Sequence, residues 1–579
     1  MKKIRLSEVG ILPDTDITTD LFRLFAENPE GCEFIFENGD YYFSPQENIC
    51  FEYRLSNSYK APVCKLGVWM KEMKNCVLSG NGARLYFSGQ MQPFTLDRCE
   101  NIKISDFVVN WKKPLAAEGI VKALGEGYLD VIIDNEKFPH RLLDGVLEFD
   151  VGADEWYKAN GWLIAFEPNE LSARRSITDF NYTKISLVSY GIYRLETSVA
   201  NIVRVGDILN IRHNERIHAG IFCEKSDDTV IENVTFHSCG GLGCLAQFCH
   251  NITCRGVHFL PDRAAGRMVS SCRDDGMHIT CCSGRVSIYD CSFHALMDDP
   301  INVHGCCVTC DEAVDDKTLR CKYRHEQACA FDYWAKAGDE IALIARDTMN
   351  KIFSATASSY ELEDDYTFLL RFEEPLDKKV LELAKKGDSL ALDNLTNTAE
   401  FYCIGNRFGS CRARGVLVAT PKKVMICDNY FESSGSAILV AGDSNYWFES
   451  GRCNDVTIKN NVFTGKCNGA EYQFCEGVIS VCPVVPKPDA ALPFHGKIEI
   501  VDNVFDLSCE SVLYGFSCED LIFSGNRIFK STIRTGGEDA IYRFSFCPKV
   551  TISDNKYTGF SFKKTSVCAE NCGKIVCND

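Results

Sequence analysis

The stretch VTIKNNVF (456–463) decides the fold, because its pattern recurs along the chain. The template is apolar-x-apolar-x-x-Asn-x-aromatic, and successive copies that keep the Asn start 23 to 42 residues apart. The other copies with Asn are FYCIGNRF (401–408), VMICDNYF (424–431), IEIVDNVF (498–505), LIFSGNRI (521–528) and VTISDNKY (550–557). Earlier copies with an apolar residue at the Asn position are IKISDFVV (102–109), TVIENVTF (229–236), ITCRGVHF (252–259) and VSIYDCSF (286–293). Short strands with a period of two, repeated at this interval, are typical of a solenoid. The sequence therefore predicts an all-β fold, a right-handed parallel β-helix.

The Asn residues of the template should stack in one column of the β-helix. Each side chain would then bond to the coil above and the coil below, as in an amide ladder. The residues concerned are Asn406, Asn429, Asn461, Asn503, Asn526 and Asn555. Unrelated Asn turns are the alternative, and the number of template copies disfavours them.

The N-terminus is predicted to cover the first coil. TDLFRLF (19–25) has the pattern of a short amphipathic helix, with Thr18 or Thr19 as its N-cap. CEFIFENGDYYFSP (32–45) indicates a strand, a turn at Asn38-Gly39 and a second strand. A helix over the first coil would protect the open edge of the solenoid from edge-to-edge association.

Two long gaps interrupt the template, and both contain strand-like runs such as GYLDVIID (127–134) and YTFLLRF (366–372). We interpret them as two small β-barrel or sandwich modules inserted at coil corners, where repeat proteins tolerate insertions. The predicted segments are an N-terminal cap with the first coils (1–110), a first inserted module (111–212), coils that carry the site (213–304), a second inserted module (305–398) and C-terminal coils (399–579).

Composition narrows the setting of the protein. The net charge of −18 argues against nucleic acid and anionic membranes as partners, and no run of 18 apolar residues could span a bilayer. No apolar segment follows the basic start, so we expect a cytoplasmic protein, or a secreted one if a signal peptide has been removed. The 32 cysteines would suggest disulfides in a secreted chain. Many occupy template or strand positions, which favours reduced, buried, structural thiols. A homodimer is left open.

Two acidic pairs point to chemistry. DDGMHI (274–279) and DDPINV (298–303) start 24 residues apart, the length of about one coil. Successive coils stack about 4.8 Å apart, so four carboxylates should crowd into two adjacent coils at a cost in repulsion. Glycoside hydrolysis needs one protonated and one ionised carboxyl group, and crowding separates their pKa values.

Aligning the strand after each template predicts the neighbours of these carboxylates. The aligned segments are GLGCL (241–245), GMHIT (276–280), PINVH (300–304), GVLVA (415–419) and AILVA (437–441). The residues just before them are Gly240, Asp275, Asp299, Arg414 and Ser436. Met277, Ile279, Ile301 and Val303 should then point inward, and His278, Asn302 and His304 outward on one face. The candidate substrate-binding residues are Asp274, Arg273, His278, Asn302, His304 and Arg414.

Simpler interpretations of the same residues remain open. Arg273 could merely pair with Asp274, and each His could be a hydrogen-bonded structural residue. Paired Asp residues at a corner could hold a structural Ca²⁺, whose ligands are oxygens, or form a solvated acidic surface.

The segment 274–305 resembles glycoside hydrolase family 110, the α-galactosidases that remove α-1,3-linked galactose from blood-group-B and related glycans. The resemblance extends to the β-helix with its two inserted modules. It implies an exo-acting, anomer-inverting hydrolase that needs no metal or other cofactor and takes a galactose-terminated oligosaccharide or glycan. By the same resemblance, Asp298 is the candidate acid, and Asp275 and Asp299 are the candidate bases. Pro300 departs from the family pattern and could shift the start of the strand.

Two other classes of function stay open at this point. A polygalacturonase-like hydrolase, lyase or epimerase would use several basic residues to bind a sugar carboxylate, and the aligned columns contain mainly Arg414. A carbohydrate-binding protein without catalysis would not require crowded Asp residues.

Overall fold

The computed structural model describes the whole 579-residue chain except residues 59–62, 214–215, 270, 471, 509–510 and 533–539. Its main body is a parallel β-helix, in which strands of successive coils pair in parallel and form long sheets. Two antiparallel β modules interrupt it. This architecture confirms the predicted parallel β-helix with two inserted β modules. The limits drawn for the five segments stay a prediction.

The template strands lie in one sheet of the coil together with strands of the first and last coils, and the described pairings in this sheet are parallel throughout. The strands of the sheet are Lys2–Arg5, Cys32–Ile35, Asp40–Phe43, Lys74–Phe87, Glu100–Trp111, Asp227–Phe236, His250–Arg255, His258–Phe259, Ser283–Tyr289, Ser292–Phe293, Ala399–Ile404, Arg407–Phe408, Lys423–Cys427, Tyr430–Phe431, Asp455–Lys459, Val462–Phe463, His495–Val501, Val504–Leu507, Cys518–Ser524, Arg527–Lys530, Lys549–Ser553, Lys556–Thr558 and Lys574–Asn578.

A second sheet of the coil carries the acidic pairs at its strand starts. Its strands are Cys50–Phe51, Cys64–Lys71, Gln92–Asp97, Ala219–Glu224, Leu242–Gln247, Met277–Thr280, Ile301–Cys306, Val416–Val418, Ile438–Val440, Glu449–Ser450, Ile479–Val481, Leu513–Phe516, Tyr542–Ser545 and Val567–Glu570. The short strand Glu449–Ser450 pairs antiparallel with Ile301–Cys306. Apolar side chains from both sheets fill one continuous core inside the coil, since alternate residues of a strand point to the same face.

The predicted Asn ladder is present. Asn429 Nδ2 donates to Asn461 Oδ1 at 2.9 Å, and Asn461 Nδ2 donates to Asn503 Oδ1 at 3.0 Å. The same contact joins Asn406 to Asn429, Asn503 to Asn526 and Asn526 to Asn555. Each acceptor oxygen also takes the backbone N–H of the preceding Asn in the ladder. The template aromatics stack alongside, for example Phe408 on Phe431 with ring centroids 4.4 Å apart. The ladder therefore satisfies buried polar groups coil by coil.

The first coil is covered by the α-helix Thr18–Glu27, as predicted. Its N-cap is Ile17, not Thr18 or Thr19. The difference arises because Asp16 supplies the capping carboxylate, which accepts from Thr18 N at 2.9 Å and from Thr18 Oγ1 at 2.7 Å. The two strands predicted within 32–45 are Cys32–Ile35 and Asp40–Phe43. The other helices of the described chain are the α-helix Lys378–Ala384 and the 3₁₀ helices Leu6–Val9 and Lys564–Ser566.

The two inserted modules are antiparallel and have their own cores. The first consists of Ala116–Gly125, Tyr128–Ile132, His140–Leu143, Val146–Gly152, Glu155–Phe166, Phe180–Asn181, Lys184–Ser189, Ile192–Glu196 and Ile208–His213. The second is a closed barrel of Val308–Ala313, Thr318–Lys322, Glu340–Ala345, Asn350–Leu362, Thr367–Phe372 and Leu390–Asn394. The barrel follows directly on the strand Ile301–Cys306, so both modules flank the coils that carry the acidic pairs.

The cysteines are mostly buried, and every cysteine within the described residues is a free thiol. Cys291 illustrates their structural use, because its thiol takes the place of a template Asn and accepts the backbone N–H of Val257 at 3.4 Å. No helix of the described chain is long and apolar enough to cross a membrane.

Candidate active site

A cleft of about 1040 Å³ opens above the acidic pairs. Its floor contains Asp274, Asp275, Asp298 and Asp299. The first inserted module contributes one wall, with Asn160, Trp162, Thr178 and Asp179. The second contributes His325, Glu326 and Gln327, and loops of the C-terminal coils contribute Asp443, Trp447, Glu449, Tyr472, Gln473 and Phe474. The cleft thus lies between the β-helix and both insertions, where loops of repeat proteins often form a binding face.

The strand register places the acidic residues one above the other. Met277 pairs with Ile301, and Ile301 pairs with Val416. Asp275 and Asp299 therefore occupy equivalent positions on adjacent coils, with Arg414 at the same position on the next coil, as the alignment predicted. Pro300 does not shift the start of the strand, since Met277 N donates to the Pro300 carbonyl at 2.8 Å.

The alignment of the copy GLGCL (241–245) was wrong by two residues. Cys244, not Leu242, pairs with Met277, so Leu242 and not Gly240 lies beside Asp275. The copy contains two glycines, and Gly243, not Gly241, occupies the position equivalent to Gly276. A Cβ at Gly243 would lie only 2.5 Å from the Gly276 carbonyl oxygen, and a Cβ at Gly276 would lie 2.6 Å from the Pro300 carbonyl oxygen, so successive coils approach closely at this position.

Arginine side chains neutralise the carboxylates. The guanidinium of Arg216 lies among three of them, with its Nη1 3.9 Å from each of Asp274 Oδ1, Asp275 Oδ1 and Asp298 Oδ2. No two of these oxygens can therefore be further apart than twice that distance. Arg216 follows the first insertion, and no repeat in the sequence indicates that it reaches the acidic pairs.

Arg414 and Arg412 each pair with one carboxylate of the acidic pair 298–299. Arg414 donates to Asp299 through its backbone N–H and through Nη2, both at 2.8 Å. Arg412 Nη1 lies 3.2 Å from Asp298 Oδ1. Its Nε donates to Asp179 at 2.7 Å, which ties the first insertion to the floor of the cleft.

Arg273 Nη1 donates to Asp274 Oδ2 at 2.6 Å. This is the simple pairing that the sequence left open, although both side chains also line the cleft. In the described residues, no group of three or more His, Cys, Asp or Glu side chains is arranged to hold a metal ion. At this corner the positive charge beside the carboxylates comes from guanidinium groups.

The surroundings of Asp275 and Asp299 favour the protonated form of these two carboxyl groups. Burial, followed by the charge of Asp298, raises the pKa of Asp275 well above its ordinary value. Burial also raises the pKa of Asp299 to about 7, although the Arg414 guanidinium opposes the rise.

The other two are held in favour of the ionised form. Burial pushes the pKa of Asp298 upward, but Arg412 and Arg216 outweigh it and keep that pKa below its ordinary value. In the same way, Arg273 and Arg216 outweigh burial at Asp274 and lower its pKa. The floor of the cleft therefore contains both protonated and ionised carboxyl groups near neutral pH, which acid–base chemistry requires.

His278 and His304 do not line the cleft. The sequence predicted that both contact substrate, but each ring is buried behind the carboxylates. His278 Nδ1 lies 2.8 Å from Asp275 Oδ2, and His278 Nε2 lies 2.9 Å from His304 Nε2. The outward direction predicted for these rings is observed, but Asn57 of the N-terminal coils and Glu449 of a C-terminal loop lie against them. Of the residues predicted from the strands to bind substrate, Asn302 lines the cleft.

Several residues of the site were not predicted from the sequence. They are Arg212, Arg216 and Asp179 at the first insertion, Arg412 just before Arg414, and Glu449, Trp447 and Tyr472 on the C-terminal loops. The spacing of Arg412 and Arg414 in CRARG (411–415) was the one available signal, since alternate residues of an extended segment share a face. The others lie far from the acidic pairs along the chain.

The aromatic residues give the cleft surfaces that a sugar ring could stack on. Trp162 of the first insertion and Trp447 of a C-terminal loop are both partly exposed and line the cleft. Trp447 is held by a contact with the His325 ring, 5.0 Å between centroids, and donates to Gln473 at 3.2 Å. Aromatic faces opposite polar groups are typical of binding sites for ligands with apolar and polar sides.

Known proteins place the chain in a family. No protein-family model matches it. It is 36% identical over 576 residues to "Alpha-1,3-galactosidase B" of Bacteroides thetaiotaomicron, a match that covers 96% of this chain and 91% of the relative. It is 32% identical over 532 residues to "Alpha-1,3-galactosidase B" of Phocaeicola vulgatus, covering 88% of each chain. Among solved structures, the mannuronan C-5 epimerase AlgE4 A-module of Azotobacter vinelandii matches over 99% of both chains at 9% identity, with a TM-score of 0.42. With 36% identity over nearly its whole length, the chain belongs to the α-1,3-galactosidase family.

Proposed function

We propose that this protein is an exo-acting, anomer-inverting α-galactosidase that hydrolyses terminal α-1,3-linked galactose from oligosaccharides or glycans, including those of the blood-group-B type. Family membership supports the sugar and the linkage. The observation that carries the chemistry is the set of carboxyl groups around Arg216, which combines raised and lowered pKa values on the floor of one cleft. Such a set supplies the acid and the base of glycoside hydrolysis.

In this proposal Asp298 protonates the leaving oxygen, and Asp275 and Asp299 activate the attacking water. Asp298 is the most accessible of the three, with 24% of its side chain exposed against 4% for Asp275 and 3% for Asp299. A leaving group in the cleft can therefore reach Asp298. The two deeper carboxyl groups lie at equivalent positions on adjacent coils, about 4.8 Å apart along the stack, close enough to share one water molecule.

The proton positions of the substrate-free site differ from those of the proposed mechanism. Without substrate, Asp298 is ionised, whereas Asp275 and Asp299 are both held in favour of the protonated form. Interacting carboxyl groups titrate as a set and not one by one. The proposed roles therefore require that bound galactoside, which displaces water from the cleft, shifts a proton to Asp298. The dependence of the rate on the leaving group distinguishes the acid from the bases. A variant that lacks the acid should recover activity on a substrate whose leaving group needs no proton, whereas a variant that lacks a base should not.

The substrate panel that tests the activity combines an aryl α-galactoside with oligosaccharides that end in Galα1,3, Galα1,4 or Galα1,6. We expect release of free galactose from the aryl galactoside and from the Galα1,3 oligosaccharides, with much slower release from the other linkages. Release of longer fragments would contradict exo action. No release from any α-galactoside would contradict the proposed function.

A polyuronide-active enzyme is the second candidate, because the cleft contains more basic residues than the sequence indicated. Arg212, Arg216, Arg273, Arg412 and Arg414 all line it, where the aligned strands had shown mainly Arg414. Arg414 and Arg273 are each paired with a carboxylate within 2.8 Å, so they are not available for a sugar carboxylate. Oligogalacturonides belong in the same panel, and their cleavage in place of α-galactosides would favour this alternative.

A further inference from the structure

A chain of buried titratable groups leads away from Asp275 beneath the cleft. His278 Nδ1 lies 2.8 Å from Asp275 Oδ2, His278 Nε2 lies 2.9 Å from His304 Nε2, and His304 Nε2 lies 3.6 Å from Glu449 Oε1. The antiparallel pairing of Cys306 with Glu449 holds the last contact in place. Asn302 Nδ2 also donates to Glu449, at 3.4 Å.

One backbone carbonyl determines where the protons of this chain lie. His304 Nδ1 is 2.6 Å from the Gly305 carbonyl oxygen, which can only accept, so His304 Nδ1 carries a proton. If His304 is neutral, its Nε2 accepts, and His278 Nε2 must donate to it. His278 Nδ1 then accepts, and Asp275 must be the donor.

Two further observations agree with a proton on Asp275. The amide nitrogen of Asn57, which also can only donate, lies 3.4 Å from the same His278 Nδ1. Burial lowers the pKa of His278 to about 3, so this ring is neutral at rest. With His304 neutral, Asp275 in its resting state is therefore protonated, which is the wrong state for a base.

We propose that His278 and His304, with Glu449 as the counter-charge, form a reversible proton store that converts Asp275 from its resting acid into the base that activates water. This inference rests on the proposed function, in which Asp275 is a base. All three act through Asp275 and are positioning residues with respect to the sugar.

The proton transfers balance over one turnover, which begins when bound galactoside shifts the proton of Asp299 to Asp298, as the proposed roles require. Asp275 Oδ2 gives its proton to His278 Nδ1 while the Nε2 proton of His278 passes to His304 Nε2, which leaves a carboxylate and an imidazolium. Water then forms its bond to the anomeric carbon and loses a proton to Asp275 Oδ1, as Asp298 protonates the leaving oxygen. The water-derived proton next leaves Asp275 Oδ1 through cleft water and returns to Asp299, so that Asp298 is again ionised. Finally, the stored proton returns from His304 to Asp275.

Charges around the chain favour the stored state. Burial raises the pKa of Glu449, but a positive charge on His304, which is the stored state, outweighs burial and lowers that pKa below its ordinary value; the Glu449 carboxylate faces His304. Asp393, which accepts from Ser450 at 2.6 Å, is a second acidic group near His304.

The remaining charged and titratable neighbours lie around the two ends of the chain. Arg216 and Asp298 face the Asp275 end, and Arg414 and His325 lie beside Glu449. A proton on His304 is therefore stabilised mainly by Glu449, and the removal of this one charge should disable the store.

The resting state is tested directly by ¹⁵N NMR of histidine-labelled protein at neutral pH, with signals assigned through His278→Gln and His304→Gln. We expect two neutral rings, with the proton on Nδ1 of His304 and on Nε2 of His278. Asp275→Asn should leave both tautomers unchanged, because its amide nitrogen donates as the carboxyl does. A proton on Nδ1 of His278 at rest would overturn the inference. This measurement needs no substrate, so it stands even if α-galactosides are not cleaved.

The transfer itself is tested by Glu449→Gln, which keeps the shape of the side chain and removes its charge. We expect kcat to fall about 10²-fold, within the range of positioned proton transfer, by the same factor for aryl and for oligosaccharide substrates, with the melting temperature unchanged. The matched control is Glu432→Gln, which alters a carboxylate of similar exposure, 15% against 18%, beside the strand Tyr430–Phe431 and outside the cleft. It should keep wild-type kcat. An unchanged kcat in Glu449→Gln would overturn the proton store while leaving the proposed hydrolysis intact.

Discussion

The Asn ladder of the C-terminal coils and the carboxylate cluster of the central coils both arise because equivalent residues stack on adjacent coils, but the effects are opposite. Stacking brings together groups that attract one another in the ladder and groups that repel one another in the cluster. In the ladder, Asn461 Oδ1 accepts the backbone N–H of Asn429 at 3.0 Å and its side-chain Nδ2 at 2.9 Å, so neutral dipoles satisfy one another. In the cluster, Asp275 and Asp299 would repel each other if both were ionised, and protonation together with the nearby Arg216 and Arg414 makes their stacking tolerable.

The difference shows where a repeat gives stability and where it gives chemistry. The template copies beside the acidic pairs have Val257 and Cys291 in place of the ladder Asn, so the ladder ends where the cluster begins. The second inserted module also starts at these coils, directly after the strand Ile301–Cys306. A repeat can specify its own neighbours, but a site needs groups that the repeat does not supply.

The largest effect should follow removal of the proposed acid. Asp298→Asn should lower kcat on Galα1,3 oligosaccharides by about 10²–10⁴-fold, the range for general acid catalysis. The loss should shrink on aryl galactosides with a good leaving group, because these need little protonation. Steady-state kinetics across a series of leaving groups measures this. Unchanged activity in Asp298→Asn would place the acid elsewhere.

The deeper carboxyl groups should behave differently from Asp298. Asp275→Asn and Asp299→Asn should each lower kcat by about 10²-fold or more, and by the same factor for every leaving group, because water activation does not depend on the departing oxygen. A loss in either variant that shrinks with a better leaving group would exchange the proposed roles. The comparison with Asp298→Asn is internal, so the three variants serve as controls for one another.

On the ladder side, substitution should affect stability and spare chemistry. Asn461→Ala removes the acceptor of two Asn429 donors and leaves the Ile426 carbonyl without its side-chain partner. Unsatisfied buried groups cost about 1–3 kcal/mol each, so we expect a loss of about 3 kcal/mol in the free energy of unfolding, measured by urea denaturation, with kcat retained. Asn454→Ala, on an exposed Asn with one hydrogen bond to Pro421, is the control and should change stability by less than about 0.5 kcal/mol. An equal effect in both variants would contradict the ladder's role.

The smallest effect is a pH dependence of stability from the cluster. Because burial raises the pKa of Asp299 to about 7, ionising this group costs free energy in the folded protein. Its contribution is fully present below about pH 4, where the unfolded chain is also protonated, and is lost as the pH rises through about 7. The free energy of unfolding should therefore fall between pH 5 and pH 7 by at most about 1.4 kcal/mol per pH unit from this group. Asp299→Asn should remove that slope, and a variant that keeps the full slope would contradict it.

The same comparison explains what the sequence could predict. The β-helix, its ladder and the stacking of Asp275, Asp299 and Arg414 followed from a local template, because parallel coils pair like residues with like. The alignment of GLGCL (241–245) was wrong by two residues, because this copy contains two glycines and Gly243, not Gly241, is equivalent to Gly276.

The rest of the site depends on chain crossings that a repeat does not encode. Arg216 reaches the cluster after the first insertion, and Glu449 arrives on a loop of the C-terminal coils through its pairing with Cys306. Asn57 and Glu449 lie against His278 and His304, so an outward-facing position on the strand did not mean contact with the cleft. Strand periodicity indicates the direction of a side chain, and not what is packed above it.

The anomer of the first product tests the central claim most directly. Proton NMR of galactose released from an α-1,3-linked substrate, recorded before mutarotation, should show the β-anomer, because one water attacks the face opposite the leaving group. The distances from Arg216 Nη1 limit how far apart the carboxylate oxygens can be, and this limit is compatible with both retention and inversion of the anomer. The anomer measurement therefore adds information that the geometry does not contain. Initial release of α-galactose would mean that a carboxylate attacks the sugar before water does, and would contradict inversion.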